Sequence, residues 1–359
     1  MRPLCYFAEK TFRRGIVIRR NRWIVFCAVL LVPLCAMAAD GVQQVANLGD
    51  CKLESGQVIH DCQLGYRTYG KLDAAADNAV MIPTWFGGTT ASLASVVGPG
   101  NIFDSTKYFV ITVDALANGI SSSPSNSTVQ PRMQFPIITI RDMVSTEYRL
   151  ATEVLKLKHL HAVAGISMGG MQTFQWAASY PNFFDLAIPI VGTPRQTSYD
   201  LILWRAELQA IERDPNWKNG NYQGDPEMPV VADIHWLNGS TPEYQVEHTA
   251  ASPYPQFAEK IEAAAHFDPN DRIRQLQAMI AQDIAPGETL QQAAKKLKAK
   301  FLIIPSAQDH MVNPTPALEI AKYLNAQTFV LHSDCGHGAF ACEHDKLVPV
   351  VQTFLATGK

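Results

Sequence analysis

The sequence lacks several of the motifs that would assign it to a cofactor-dependent class. It has no His-Glu-x-x-His motif, no Cys-x-x-Cys pair and no phosphate-binding glycine loop, which removes the usual support for a bound metal or nucleotide. It also has no internal repeat and no low-complexity tract. His159 and His161 are an isolated pair and are more typical of a loop edge than of a metal site. We therefore expect neither a metal nor an organic cofactor.

Positive charge is scarce beyond the first 38 residues. Those residues hold seven Lys or Arg side chains, followed by an uncharged run over 23–39 and by the small-x-small pattern Ala36-Met37-Ala38. This pattern predicts a secretory signal peptide over residues 1–38. The alternative is an uncleaved membrane anchor, although the run is short for a span and contains Pro33.

Without that leader, the chain keeps 23 basic and 32 acidic residues and a net charge of −9. This balance argues against nucleic acid or an anionic membrane surface as a partner.

Cysteine is also scarce, and what remains after leader removal is paired. Three of the seven cysteines lie in the predicted leader, and the other four form two sequence-local pairs, Cys51 with Cys62 and Cys335 with Cys342. An even number of paired cysteines suits an oxidising compartment. We expect a periplasmic or secreted protein with two disulfides and no membrane association after cleavage.

The first cysteine pair lies in a predicted β-hairpin over residues 51–69. Centring a two-residue turn on Gly56-Gln57 sets Cys51 opposite Cys62, within the Cα distance that a disulfide spans. The second pair encloses His337, and a bridge there would restrict a loop that has a glycine on each side of the histidine.

Apolar stretches alternate with amphipathic ones along the chain. The strands are apolar throughout, which is typical of a mostly parallel sheet covered by helices on both faces. Predicted strands are 78–84, 107–114, 161–165, 185–191, 299–306 and 328–333, and predicted helices are 141–157, 170–180, 315–324 and 345–356. The alternation stops over 193–297, where helical pieces at 200–213 and 255–265 occur without a convincing strand. We therefore divide the mature chain into a core at 39–192, a helical insertion at 193–297 and the rest of the core at 298–359.

The stretch Gly165-Ile166-Ser167-Met168-Gly169 fits the pattern Gly-x-Ser-x-Gly. It follows an apolar strand and precedes a helix, as a nucleophile elbow does. An ordinary tight turn with a satisfied serine is the alternative.

Two further residues stand where partners of such a serine belong. A serine needs an imidazole to take its proton, and the imidazole needs a carboxylate to hold its tautomer. The chain order is serine, acid, histidine in α/β-hydrolases, and Asp309 and His337 each follow a predicted strand in that order. Asp334 is an alternative acid, but it lies only three residues from His337.

An acyl-transfer intermediate also needs two N–H donors for its oxyanion. One is expected from Met168, directly after the serine. The other is expected from the loop after the 78–84 strand, at Phe86, with Trp85 as the alternative.

The chain resembles the homoserine O-acetyltransferase family. The matching motifs are Tyr66-Arg67-Thr68-Tyr69-Gly70, Val97-Gly98-Pro99-Gly100, Thr139-Ile140-Arg141-Asp142-Met143, Ser167-Met168-Gly169-Gly170-Met171-Gln172, Ala210-Ile211-Glu212-Arg213-Asp214-Pro215 and Gly336-His337-Gly338-Ala339-Phe340. The resemblance implies an α/β-hydrolase fold, a serine-bound acyl intermediate, a helical lid and a homodimer through the lids. It also implies that Ser167, Asp309 and His337 form the triad.

One departure from the family bears on the acyl acceptor. The family uses a lid arginine to hold the carboxylate of the amino-acid acceptor, but this chain has no arginine between Arg213 and Arg272. A lysine does not reproduce the arginine fork. We therefore expect a serine acyl-hydrolase acting on a small acyl ester. The alternatives are an O-acyltransferase and a non-catalytic binding protein on the same fold.

Overall fold

An eight-stranded sheet forms the centre of the computed structural model, which describes residues 40–224, 226–263 and 266–359. The predicted signal peptide lies outside these ranges. The strands are β1 Gln44–Lys52, β2 Val58–Tyr69, β3 Ala79–Pro83, β4 Phe109–Val113, β5 Leu160–Ile166, β6 Phe184–Ile190, β7 Lys300–Ile303 and β8 Gln327–Thr328. Their order across the sheet is β1-β2-β4-β3-β5-β6-β7-β8. The β1–β2 and β2–β4 pairs are antiparallel and all later pairs are parallel.

The parallel strands are buried on both faces. In β3, Val80 and Ile82 pack into one core while Met81 packs into the other. In β5, Ala162 and Val163 divide in the same way between the two cores. This explains why the strands read as continuous apolar runs, and it confirms the predicted sheet with helices on both faces.

Helices cover both faces and fill the insertion. They are α1 Ile140–Arg149, α2 Met168–Ser179, α3 Ser198–Arg213, α4 Pro229–Gly239, α5 Pro242–His248, α6 Tyr254–Ala263, α7 Pro269–Ile280, α8 Leu290–Ala294, α9 Thr315–Leu324, α10 Ala339–Cys342 and α11 His344–Thr357. Six of them, α3 to α8, lie between β6 and β7, in what we call the inserted segment (residues 193–297). In the described ranges, no helix is long and apolar enough to cross a membrane.

Several predicted elements are shorter than expected, including the strand at 299–306, which is β7 Lys300–Ile303, and two show this most clearly. The predicted helix at 141–157 ends its α-helical part at Arg149 and continues as a π-helical turn, Leu150–Val154, in which the N–H of Leu155 donates to the carbonyl of Leu150. The predicted strand at 328–333 pairs with β7 only at Gln327–Thr328, and one bridge joins Leu331 to Ser306. Both boundaries depend on tertiary contacts rather than on local apolar pattern.

The hairpin is present, but its predicted register is wrong. The connection covers residues 53–57 instead of two residues, and Cys51 lies opposite Ile59 while Cys62 lies opposite Gly49. The two strands pair with irregular spacing here, and Asp61 has a positive φ of 51°, as expected at a bulge. Cys51 and Cys62 are nevertheless joined by a disulfide with a Cα–Cα distance of 5.8 Å.

Candidate active site

The turn at residues 165–169 joins β5 to α2 and carries Ser167 at its apex. Ser167 has φ 59° and ψ −120°, a left-handed backbone that a residue with a side chain rarely adopts. The flanking glycines permit it, because a β-carbon on Gly169 would lie 2.6 Å from the carbonyl oxygen of Pro83. A β-carbon on Gly165 would collide with the carbonyl of Gly169. These are the features of a nucleophile elbow.

Ser167, His337 and Asp309 lie in one hydrogen-bonded row beyond the carboxyl ends of the parallel strands. The Ser167 Oγ is 2.8 Å from His337 Nε2, and His337 Nδ1 is 2.7 Å from Asp309 Oδ2. With its proton on Nδ1, the imidazole donates to Asp309 and accepts from the serine hydroxyl. Such a row can take up the hydroxyl proton as the serine oxygen attacks a carbonyl carbon.

The carboxylate of Asp309 is buried and fixed by the backbone. Its Oδ1 accepts hydrogen bonds from the N–H groups of Met311 and Val312, both at 2.8 Å, which leaves Oδ2 for the imidazole. Asp334, the alternative acid, instead lies 3.5 Å from the Ser333 hydroxyl through its carboxylate. The structure therefore brings Asp309, rather than Asp334, to His337.

A disulfide encloses the loop that carries the histidine. His337 lies in a short helical turn, Gly336–Gly338, that runs directly into α10. Cys335 and Cys342 are bonded across this stretch with a Cα–Cα distance of 6.5 Å. The bridge limits the freedom of a glycine-flanked loop, and two disulfides together indicate an oxidising compartment rather than the cytosol.

The two predicted oxyanion donors lie on neighbouring elements. Met168 is the first residue of α2, where an N–H group has no acceptor within the helix. Phe86 follows β3, and the end of β3 is tied to α2 because Gln172 donates to the carbonyl of Thr84 at 3.0 Å. This hydrogen bond places the Phe86 loop beside the start of α2.

A buried ion pair contacts the face of the Phe86 ring. The guanidinium carbon of Arg272 lies 4.3 Å from the centre of the Phe86 ring. Arg272 also pairs with Glu207 at 2.7 Å, and Glu207 approaches His235 Nδ1 at 3.0 Å. Burial alone would raise the pKa of Glu207, but the Arg272 charge, together with the His235 contact, holds that pKa below its ordinary value.

Sequence reasoning missed this cluster. Its members lie on α3, α4 and α7, so their proximity depends on how the inserted segment folds. The available signal was a set of charged residues within amphipathic helices, which is more often a solvated face.

A pocket of about 530 Å³ adjoins the Phe86 loop. The loop forms one wall, and α4, α6 and the start of α7 form the others. Five of its fifteen lining residues are Trp or Phe, and His235, Lys260 and Arg272 supply polar groups. The aromatic lining residues are Trp85, Phe86, Trp236, Phe257 and Phe267. Such a pocket can hold an apolar group beside the Phe86 loop.

Comparisons with known proteins agree with this fold. The model of the alpha/beta hydrolase fold family matches residues 80–342, and the chain belongs to that family. It is an enzyme of the hydrolase or acyltransferase type, which confirms the class expected from the sequence.

Its relatives include both kinds of enzyme. An ethyl acetate hydrolase of Pseudomonas veronii is 30% identical over 325 residues, covering 86% of this chain and 93% of the relative. A homoserine O-acetyltransferase of Trichormus variabilis is 31% identical over 326 residues, covering 84% and 90%. The solved structure of the acetyl esterase MekB superposes with a TM-score of 0.82 at 29% identity, covering 88% of this chain and 97% of that one.

Proposed function

We propose that this chain is an exported carboxylic ester hydrolase that works through a Ser167–His337–Asp309 triad. The observation that carries the proposal is the hydrogen-bonded row from Ser167 Oγ to His337 Nε2 at 2.8 Å and from His337 Nδ1 to Asp309 at 2.7 Å. A strained serine, a reachable base and a buried acid are what nucleophilic acyl chemistry requires. A protein that only binds a ligand on this fold would not need that alignment.

The proposed reaction has two halves. Ser167 Oγ attacks the ester carbonyl carbon as its proton passes to His337 Nε2, and the N–H groups of Met168 and Phe86 stabilise the oxyanion. The intermediate collapses to a serine ester, and the alcohol leaves with the proton from His337. Water then attacks the serine ester with His337 again as base, which releases the acid and restores the hydroxyl.

The part of the site that would bind an acyl acceptor favours hydrolysis over acyl transfer. The stretch between Arg213 and Arg272 offers no arginine to hold an amino-acid carboxylate. Arg272 itself, at the pocket wall, is paired with Glu207 and stacked on the Phe86 ring. Since the relatives include an ethyl acetate hydrolase and an acetyl esterase, small acetate esters are the substrates to test first.

We predict that homoserine will not divert the acyl group. The purified mature protein should release acetate from a chromogenic acetate ester at the same rate with and without homoserine, because no arginine fork holds the amino acid. Chromatography of the products gives the fraction that appears as O-acetylhomoserine, which we expect to be negligible. Formation of O-acetylhomoserine faster than acetate would establish the transferase alternative.

We also propose that the inserted segment is a lid through which two copies associate. Each of α3, α4, α5 and α6 leaves an apolar side chain exposed, at Ile202, Leu237, Val246 and Tyr254. Burying such side chains against a second copy is more favourable than leaving them in water. Sedimentation at micromolar concentration should give a dimer, and Ile202→Asp with Val246→Asp should give a monomer. A monomeric wild-type protein at every concentration would rule out the association.

A further inference from the structure

Gln275 connects two loops that follow adjacent strands. It lies on α7 and is 1% exposed. Its side-chain oxygen accepts a hydrogen bond from the N–H of Gly87 at 2.8 Å, and its side-chain nitrogen donates to the carbonyl of Leu116 at 3.0 Å. Gly87 follows β3 and Leu116 follows β4, so a single amide in the inserted segment clamps both loops to each other.

The hydrogen bond between Gln275 and Gly87 is made at the peptide that determines the shape of the Phe86 loop. The N–H of Gly88 donates to the carbonyl of Trp85 at 2.9 Å, and Gly87 has a φ of +66°. A positive φ at the third residue is the mark of a type II turn, in which the central peptide is rotated relative to a type I turn. That central peptide joins Phe86 to Gly87, and Gln275 binds its N–H.

The side chain and the backbone of Phe86 are held by different residues of the same helix. Arg272, three residues before Gln275 on α7, lies over the ring and is itself fixed by Glu207. Within the described part of the chain, Arg272 hydrogen-bonds to Glu207 and His235 rather than to the peptide groups of the turn, and so gives those groups no orientation. The Gln275 amide supplies that orientation through Gly87.

We propose that Gln275 is a positioning residue for the oxyanion hole, a role that rests on the ester hydrolysis proposed above. It holds the Phe86–Gly87 peptide in one orientation, and so keeps the adjoining N–H of Phe86 directed at the acyl oxygen. Gln275 itself does not touch substrate. Its loss should therefore weaken stabilisation of the tetrahedral intermediate while leaving ground-state binding unchanged.

The test uses Gln275→Met, which keeps the length of the side chain and removes both hydrogen bonds. Complete loss of an oxyanion donor costs about 10²–10³-fold in kcat, so a misdirected donor should cost about 10–100-fold with KM nearly unchanged. A boronic acid, whose adduct with Ser167 mimics the tetrahedral intermediate, should bind more weakly by a similar factor. A competitive inhibitor that forms no adduct should bind as before.

Gln277→Met is the matched control. It makes the same chemical change two residues along α7, where the amide only accepts a hydrogen bond from Arg274 at 2.9 Å. It should keep the wild-type kcat and boronate affinity. Gln275→Met with wild-type kcat and boronate affinity would overturn the proposal.

Gln275→Glu covers the case in which the methionine variant fails to fold. It keeps an acceptor for the N–H of Gly87 but places an anion near the Leu116 carbonyl, and the protonated acid restores the donor. Its kcat relative to wild type should therefore be lowest at alkaline pH, where even a buried carboxyl group is ionised, and should rise as the pH falls. A ratio that stays at the wild-type value up to about pH 10 would overturn the proposal. If the wild-type protein hydrolyses no ester, the proposed function is wrong, and the positioning role of Gln275 is wrong with it.

Discussion

Replacing Ser167 with alanine is expected to abolish ester hydrolysis. Loss of a triad nucleophile lowers kcat by about 10⁴-fold or more, and here the change removes only the oxygen that lies 2.8 Å from His337 Nε2. The variant should also lose labelling by a fluorophosphonate, which reacts with an activated serine. Initial rates on an acetate ester and gel fluorescence measure the two effects, and circular dichroism checks the fold.

Two pairs of variants make this result specific. Ser179→Ala, at the far end of α2, removes another serine hydroxyl and should keep activity and labelling. Asp309→Asn should lower kcat by about 10⁴-fold because it disturbs the tautomer of the imidazole, whereas Asp334→Asn should leave kcat close to wild type. Labelling that persists in Ser167→Ala would place the nucleophile elsewhere, and loss of activity in Asp334→Asn alone would reassign the acid.

The local apolar pattern of the sequence was sufficient to predict the sheet and the proximity of Ser167, Asp309 and His337. A strand buried on both faces reads as an apolar run, and parallel strands bring their carboxyl ends to the same edge of a sheet. Ser167 and Asp309 follow two such strands and His337 follows the edge strand β8, so their sequence positions predict their proximity, and the structure places them in hydrogen-bonding contact.

Contacts between distant segments could not be predicted in the same way. Gln275 is 188 residues from Gly87, and its helix, α7, is not among the helical pieces predicted from the sequence. Nothing in the spacing of α3 and α7 indicates that Glu207 pairs with Arg272. The hairpin shows the same limit at short range, because its connection and irregular pairing depend on backbone angles, such as the positive φ at Asp61, that composition does not specify.

A buried carboxyl group away from the site should make stability depend on pH. Glu147 on α1 is fully buried and accepts a hydrogen bond from Trp176 Nε1 at 2.6 Å, while its Oε1 has no partner among the described residues. Burial raises the pKa of Glu147 from 4.5 to about 8. The folded protein therefore keeps this proton at pH values where the unfolded chain has released it.

The sign of the effect follows from proton linkage. Below pH 4.5 both states hold the proton, so the group's contribution to folding is fully present there. As the pH rises towards 8, only the unfolded chain loses its proton, and the free energy of unfolding falls by about 1.4 kcal/mol for each pH unit. Above the folded pKa the loss is complete.

Glu147→Gln should remove this pH dependence, because glutamine keeps the acceptor for Trp176 and cannot ionise. Between pH 5.5 and 7.5 we expect the variant to gain about 2–3 kcal/mol in free energy of unfolding relative to wild type. Urea denaturation at several pH values measures the difference. The control Glu319→Gln makes the same change at a solvent-exposed position on α9. Its free energy of unfolding should depend on pH in the same way as that of the wild-type protein. If the curve of Glu147→Gln also runs parallel to wild type, Glu147 titrates alike in the folded and unfolded states, and burial has not raised its pKa.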